Sequence, residues 1–334
     1  MPKVSVCIPT YNYAKFLAAA IDSVLAQTFE DFELIVSDNA STDETPAVLD
    51  RYAAQPALRV YRNERNLGLF ANFNRCLELA RGEYVKFLCA DDWLDPRYLA
   101  EAVTVMDDHP EATLLTAPGW LVDEAGERWG YATGGFGRTA VVPRAVAMGA
   151  QARYLNAIGM PSSVLMRRAD AVGVGGFDAA YAPASDAHLW LRLLGRGDLG
   201  WLPAPRCHLR IHPSKEHDYG SDPAEAAFAI WEDLAADPSS GVTDELRRTA
   251  LYAEAEAHLL YVVAHVLGGR ADRARDLARV VRRHLPWRRV LPRFAARLPV
   301  LALGQAGRLF ALRGARLVVY SPAPRIGPRL EHLA

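Results

Sequence analysis

Apolar positions in the first ninety residues follow two alternating patterns. Short, nearly unbroken runs at Val4-Ser5-Val6-Cys7-Ile8, Phe32-Glu33-Leu34-Ile35-Val36, Leu58-Arg59-Val60-Tyr61 and Glu83 to Leu88 read as buried strands. Between them, apolar residues recur at helical spacing. Phe16, Leu17, Ala20, Ile21, Val24 and Leu25 form one face, Val48, Leu49 and Tyr52 a second, and a third helix runs from the Asn66-Leu67-Gly68 turn to about Ala80. Polar residues mark the expected helix starts: Asn12 as an N-cap, Ser41 with Glu44 as a capping box, and Asp95 as an N-cap with Pro96 at the first helical position. Four strand–helix alternations at short spacing predict an α/β fold, a mostly parallel sheet flanked by helices. Right-handed crossovers would bring the strand carboxyl ends to one rim, where α/β proteins gather ligands. That rim would carry Thr10, Tyr11, Asn12, Asp38, Asn66, Asp91 and Asp92.

Beyond residue 110 the pattern is richer in turns. Leu114 to Ala117 is strand-like, Val122 to Arg128 reads as a strand running into a reversal, and Gly159 to Met166 as a loop entering a strand. Gly173-Val174-Gly175-Gly176 reads as a loop. Leu189, Trp190, Leu193 and Leu194 form a helix face with Asp186 at its N-terminus, a position that an N-capping aspartate would fill by itself. Cys207 to Ser214 alternates like a strand, which puts His208, Arg210 and His212 on one face. From about Asp222, alanine, leucine and arginine dominate, and helices are expected over 224–237, 243–267 and 271–285. The expected organisation is an α/β domain over 1–220 and a helical, arginine-rich region over 221–334.

Composition narrows the class. With 51% hydrophobic and 23% charged residues the chain is globular, and a formal net charge of −1 excludes a broadly nucleic-acid-binding character. The four cysteines, Cys7, Cys76, Cys89 and Cys207, are far apart and form no C-x-x-C, so a reducing cytoplasm is expected. Met1-Pro2-Lys3-Val4 runs straight into a strand, leaving no room for a signal peptide, and the apolar stretch Leu298 to Phe310 is too short to span a bilayer. No G-x-G-x-x-G follows the first strand and no P-loop motif occurs, which argues against dinucleotide and P-loop chemistry.

The chemistry-bearing stretch is Lys86-Phe87-Leu88-Cys89-Ala90-Asp91-Asp92. Two adjacent carboxylates at a strand end repel each other unless a cation lies near. They are either solvated acids that help to start the next helix or ligands of a divalent ion such as Mg²⁺, which takes one or two carboxylates and fills its sphere with phosphate oxygens and water.

Val4 to Asn12, Ile35 to Thr45, Asn66-Leu67-Gly68 and Phe87 to Asp92 resemble, in order and spacing, the successive motifs of family 2 glycosyltransferases, a family with the GT-A fold that is usually inverting. The resemblance covers roughly the first 215 residues. It implies that Pro9, Thr10 and Tyr11, with Asn12 beside them, wall a nucleoside pocket. It further implies that Asp38 accepts hydrogen bonds from a pyrimidine edge, and that Asn66 and Gly68 line the same cleft. Asp91 and Asp92 match the end of the family's D-x-D motif: Asp92 as the metal ligand, Asp91 touching ribose or sugar, and His212 as a further metal or diphosphate ligand. A histidine ligand would favour Mn²⁺ over Mg²⁺. Asp186 falls where the family keeps its catalytic base. Four positions depart from the family pattern. Cys89 stands where many members have the first Asp of D-x-D, Asn39 and Ala40 replace the usual Asp-Gly, and Phe73 replaces a frequent Arg.

The expected activity is therefore metal-assisted transfer of a sugar from a nucleoside diphosphate, UDP or dTDP in preference to GDP, to a hydroxyl of a glycan, lipid-linked or small-molecule acceptor. The alternative is a non-catalytic nucleotide-sugar-binding or scaffolding protein that retains the fold. A sugar nucleotidyltransferase is disfavoured, since no glycine-rich basic loop follows Ile8. From Arg270 to Arg329 the only acids are Asp272 and Asp276, so the C-terminal region can either lie peripherally on the inner face of a membrane or pack on the α/β domain or a second copy.

Overall fold

The computed structural model describes residues 1–132, 136–137, 140–212 and 222–296. The first part of the chain runs β1 (Val4–Thr10), α1 (Ala14–Leu25), β2 (Phe32–Asp38), α2 (Thr45–Asp50), β3 (Leu58–Arg62), α3 (Leu69–Leu79), β4 (Tyr84–Phe87), β5 (Trp93–Leu94) and α4 (Tyr98–Asp108). It continues through β6 (Ala112–Thr116), β7 (Gly119–Val122), β8 (Arg128–Ala132), β9 (Val141–Val142), α5 (Arg144–Tyr154), β10 (Val164–Arg167), α6 (Arg168–Gly173) and α7 (Ser185–Leu194). The last elements are β11 (Asp198–Trp201), β12 (Cys207–Arg210), α8 (Pro223–Ala236), α9 (Asp244–Leu267) and α10 (Ala271–His284), followed by helical residues 287–296.

The main sheet has the order β3-β2-β1-β4-β10-β6-β11-β9. β1 to β4 are mutually parallel, as the strand–helix alternation requires, and β6 and β11 run the same way. β10 lies antiparallel between β4 and β6, and β9 is an antiparallel edge. A second sheet, β5-β12-β7-β8, stands over the carboxyl end of β4. Both faces of the main sheet are apolar, which is why its strands read as runs and not as alternations. The cluster on one face extends from Phe87, Leu114 and Trp190 to Phe228, Leu251 and Val280, so α8 to α10 share a core with the sheet. The expected boundary at residue 220, like Pro213 to Lys215 and the tail from 297, lies outside the described residues.

The C-terminal helices agree with their expected bounds to within a residue or two. Three helix starts do not. α1 begins at Ala14, because Asn12 takes a left-handed conformation (φ 58°) and spends its side chain elsewhere: Oδ1 accepts the backbone N–H of Thr42 at 2.8 Å and of Asp43 at 3.3 Å. Asparagine tolerates that conformation better than most residues. Ser41 does not form a capping box; its hydroxyl accepts the Asn12 N–H at 2.9 Å, and α2 begins at Thr45 without a side-chain cap. Asp95 accepts the Arg97 N–H at 3.1 Å in the turn before α4, which starts at Tyr98. Asn12 and Ser41, which fit helix caps, are drawn into loop-to-loop bonds that sequence spacing does not show, whereas Asp95 closes its own turn. β5 was also unforeseen: Trp93 and Leu94 pair with His208 and Cys207.

Candidate active site

The β1 and β2 ends lie in register, with Thr10 opposite Asp38. Both side chains are buried. Asp38 Oδ1 accepts the Ser41 N–H at 2.9 Å, closing the turn after β2, and Oδ2 lies 3.7 Å from Arg62 Nε. Neither Asp38 Oδ2 nor Thr10 Oγ1 has a hydrogen-bond partner among the described residues. Buried polar atoms are nearly always bonded, so two such atoms side by side on adjacent strand ends point to a ligand. Pro9 is buried behind them, whereas Tyr11 and Asn12 are exposed at the rim.

Asn66 and Gly68 reach the same rim through Asn39, which sequence reasoning treated only as a departure from the family. Asn39 Nδ2 donates to Asn66 Oδ1 at 2.7 Å and to the Gly68 carbonyl at 3.2 Å, while its Oδ1 accepts the Leu67 N–H at 2.9 Å. Asn66 Oδ1 also accepts the Gly68 N–H at 2.8 Å. Gly68 takes φ +88°, a conformation that disfavours any side chain, and opens α3. An amide hub accepts and donates, so it can bridge two loops where an aspartate could only accept.

The acidic pair follows β4. Leu88 donates its N–H to the Cys7 carbonyl at 2.9 Å, so the loop 89–92 begins level with the β1 end. Asp91 and Asp92 are both buried, and the ligand atoms of Cys89, Asp91 and Asp92 lie within 4.8 Å of one another. β12 closes over them. Asp92 Oδ1 accepts the Arg210 backbone N–H at 2.7 Å, and Arg210 Nε donates to the Asp91 carbonyl at 3.0 Å. The Arg210 guanidinium lies 4.6 Å over the Phe16 ring and 5.0 Å over the Trp93 ring, which fixes its plane. His212 Nε2 lies 3.2 Å from Asp91 Oδ2, so the structure sets His212 on Asp91, beside the Cys89–Asp91–Asp92 group. His208 shares the strand but stacks at 4.7 Å on Trp93. Two carboxylates and a thiol at that spacing fit a divalent ion: the carboxylates suit Mg²⁺ or Mn²⁺ and the sulfur is a softer donor.

Beneath the pair lies Lys86, fully buried, with Nζ donating to the carbonyls of Ser162 and Val164 and lying 4.4 Å over the Tyr98 ring. Burial lowers its pKa to about 7, opposed by the nearby Cys207, Cys89 and Asp92. Ser162 in turn accepts the Cys89 N–H at 2.9 Å through its hydroxyl. Nothing in the residues adjacent to Lys86 points to these carbonyls, so sequence pattern alone did not reveal this brace.

Asp186 lies in the first turn of α7, one residue inside the helix and not at its cap. Its level in the fold follows from contacts along α7. Thr113, near the start of β6, donates to the Leu193 carbonyl at 2.9 Å, whereas Trp190 donates to the Gly159 carbonyl at 3.1 Å. Gly159 adjoins Ile158, whose carbonyl accepts the hydroxyl of Thr116 at the β6 carboxyl end. α7 therefore runs antiparallel to β6. Asp186, at the start of α7, thus lies toward the carboxyl end of β6 relative to Leu193. Burial pushes its pKa up to about 6, partly offset by the Ala187 N–H that Oδ1 accepts at 2.7 Å. The buried Ser185 Oγ beside it has no partner among the described residues. His188, one turn on, is held neutral, its pKa lowered to about 4 by burial and by the Arg192 charge.

Known proteins share both the sequence and the architecture. Residues 5–170 match glycosyl transferase family 2. MT1568 of Mycobacterium tuberculosis is 32% identical over 212 residues, covering 60% of this chain and 65% of that one. Bacillus subtilis EpsE, a putative glycosyltransferase by name, is 36% identical over 129 residues, covering 38% and 46%. The chain thus spans less than two thirds of these relatives. Among solved structures, S. aureus TarS 1-349 in complex with UDP-GlcNAc superposes with a TM-score of 0.58 at 18% identity, covering 84% of this chain and 92% of that one. Mannosyltransferase PcManGT from Pyrobaculum calidifontis, in complex with GDP-Man and Mn²⁺, gives 0.59 at 22%, covering 92% and 83%. At those identities the structures establish a shared GT-A architecture. No helix among the described residues is long and apolar enough to cross a membrane. With the family match over 5–170 and this sheet, the chain belongs to glycosyl transferase family 2.

Proposed function

We propose that the protein transfers a sugar, with inversion, from a nucleoside diphosphate to an acceptor hydroxyl, and that residues 1–220 hold the machinery. The observation that carries this reading is the buried Cys89–Asp91–Asp92 cluster, whose ligand atoms lie within 4.8 Å of one another, with the unpartnered Thr10 Oγ1 and Asp38 Oδ2 on the ends of the neighbouring strands. Asp38 Oδ2 accepts the N3–H of a pyrimidine, which favours UDP or dTDP over GDP, while Pro9, Thr10, Tyr11, Asn12, Asn66 and Gly68 wall the nucleoside. Asp91 and Asp92 hold a divalent metal, Mn²⁺ or Mg²⁺, and His212 orients Asp91 as an outer-shell partner. The metal, when bound, supplies positive charge to the leaving diphosphate. Asp186, ionised, takes the proton of the acceptor hydroxyl as its oxygen bonds to the anomeric carbon and the bond from that carbon to the diphosphate oxygen breaks. A carboxyl whose pKa is raised to about 6 is a stronger base than an ordinary aspartate and is still mostly ionised at neutral pH.

Calorimetry with UDP and GDP, with and without Mn²⁺, followed by a donor-turnover assay, tests this. Metal-dependent UDP binding with turnover is the expected result. Binding without turnover in any donor screen would instead make the chain a nucleotide-sugar-binding protein.

A further inference from the structure

A cavity of about 300 Å³ opens between α5, α9 and the helical residues 287–296, away from the acidic cluster. Its lining is Arg153, Thr249, Tyr252, Ala253 and Arg293. One water occupies roughly 30 Å³ of liquid, so the cavity admits a small solute. Thr249, Tyr252 and Ala253 are spaced three and four apart on α9 and present one helix face. Arg153, exposed in the last turn of α5, has no hydrogen-bond or ion-pair partner among the described residues. The Arg293 guanidinium lies 4.2 Å over the Tyr252 ring, which holds its planar fork in place. Among the described residues one carboxylate approaches it: Glu256 Oε1, 4.0 Å from Arg293 Nε, on a side chain only 4% exposed.

Each arginine has an ordinary explanation alone. Arg153 offsets the helix-end dipole, and Arg293 packs on an aromatic face. Neither accounts for both arginines lining one cavity beside two hydroxyl-bearing residues, where Glu256 lies near Arg293 and no carboxylate among the described residues pairs with Arg153. The position of α5 points to which molecule supplies an anion there. Gln151, in the same helix, accepts the N–H of Ala157 at 2.9 Å and of Ile158 at 3.2 Å. That loop runs on through Gly159, which takes the Trp190 indole, to Ser162, which holds Cys89. The cavity wall is thus continuous along the chain with the loop that holds Cys89.

We propose that this cavity binds a phosphate group carried by the acceptor, with Arg153 and Arg293 as its charged donors. The assignment to the acceptor rests on the glycosyl-transfer reading; the presence of an anion site does not. A lipid headgroup and a soluble phosphate ester present the same group, so the test uses both. The full-length chain is titrated with sn-glycerol 1-phosphate by calorimetry at low salt, and sedimented with phosphatidylcholine vesicles with and without phosphatidylglycerol. Arg153→Ala and Arg293→Ala are compared with the parent, and UDP binding with Mn²⁺ is followed in the same proteins. Losing one charge-assisted contact should weaken phosphate binding about tenfold in each variant and leave UDP binding unchanged. Arginine-dependent binding of the soluble ester identifies a free phosphate, and arginine-dependent binding to the anionic vesicles alone identifies a headgroup. Binding to neither probe, or binding indifferent to both substitutions, overturns the site. If UDP fails to bind in every protein while phosphate binding stays arginine-dependent, the donor reading falls and the anion site stands.

Discussion

Asp92 and Asp186 are the same residue type in opposite surroundings. Asp92 sits with Asp91 at a strand end, where the Arg210 backbone, its guanidinium and His212 crowd two acids and a thiol together. Asp186 sits by itself on a helix end and, among the described residues, its side chain accepts one backbone N–H. Concentrated negative charge suits a cation. A solitary carboxyl raised to about 6 by burial suits proton transfer. Under the proposed reaction, the two environments would divide its labour between residues that composition cannot tell apart.

The sharpest way to break that comparison is to remove charge at each end. Asp186→Asn keeps the shape and the Ala187 contact and should cost about 10²–10⁴-fold in turnover, with UDP affinity unchanged by calorimetry. In the parent, Asp186 must be ionised to accept a proton, so activity should fall as pH drops through about 6; a turnover profile of the variant should lack that limb. An unaltered limb would assign the base elsewhere. Asp92→Asn should act on the other step, weakening Mn²⁺-dependent UDP binding about 10–100-fold with little effect on metal-free binding.

A third buried carboxyl sharpens the contrast because no ligand role attaches to it. Glu254, in α9, is raised by burial to about 8. Between pH 4.5 and about 8 the unfolded chain releases this proton and the folded chain keeps it, so stability falls as pH rises, by up to about tenfold in the folding constant per unit. Glu254→Gln should therefore raise the urea midpoint at pH 8 and leave it unchanged at pH 4. An equal shift at both would mean that packing, not charge, is being measured. The smallest effect is expected from Cys89→Asp, which restores a third carboxylate: a several-fold lower Mn²⁺ concentration for half-maximal UDP binding, read by titration.

Much of this was legible along the chain. Each of the first four strands is a local, largely apolar run with polar residues at or shortly after its end, so the rim and its occupants Thr10, Asp38, Asn66, Asp91 and Asp92 follow from alternation and crossover handedness. The family resemblance added Asp186 and the GT-A architecture. Asn39 and Lys86 were missed because their value lies in partners at loop 66–68 and turn 161–163, and nothing in their neighbours in sequence announces those bonds.

The amino-acid sequence by itself determined the strands, the helix faces and the order in which carboxylates reach one edge of the sheet, since these depend on residues three or four apart. Tertiary structure alone decided where polar side chains spend their hydrogen bonds. Asn12 and Ser41 left their expected helix caps for each other's loops, His212 came to rest on Asp91, and two guanidiniums from helices about 140 residues apart met at one cavity. A hydrogen bond or a burial shift depends on which distant segment packs alongside, and no local spacing encodes that.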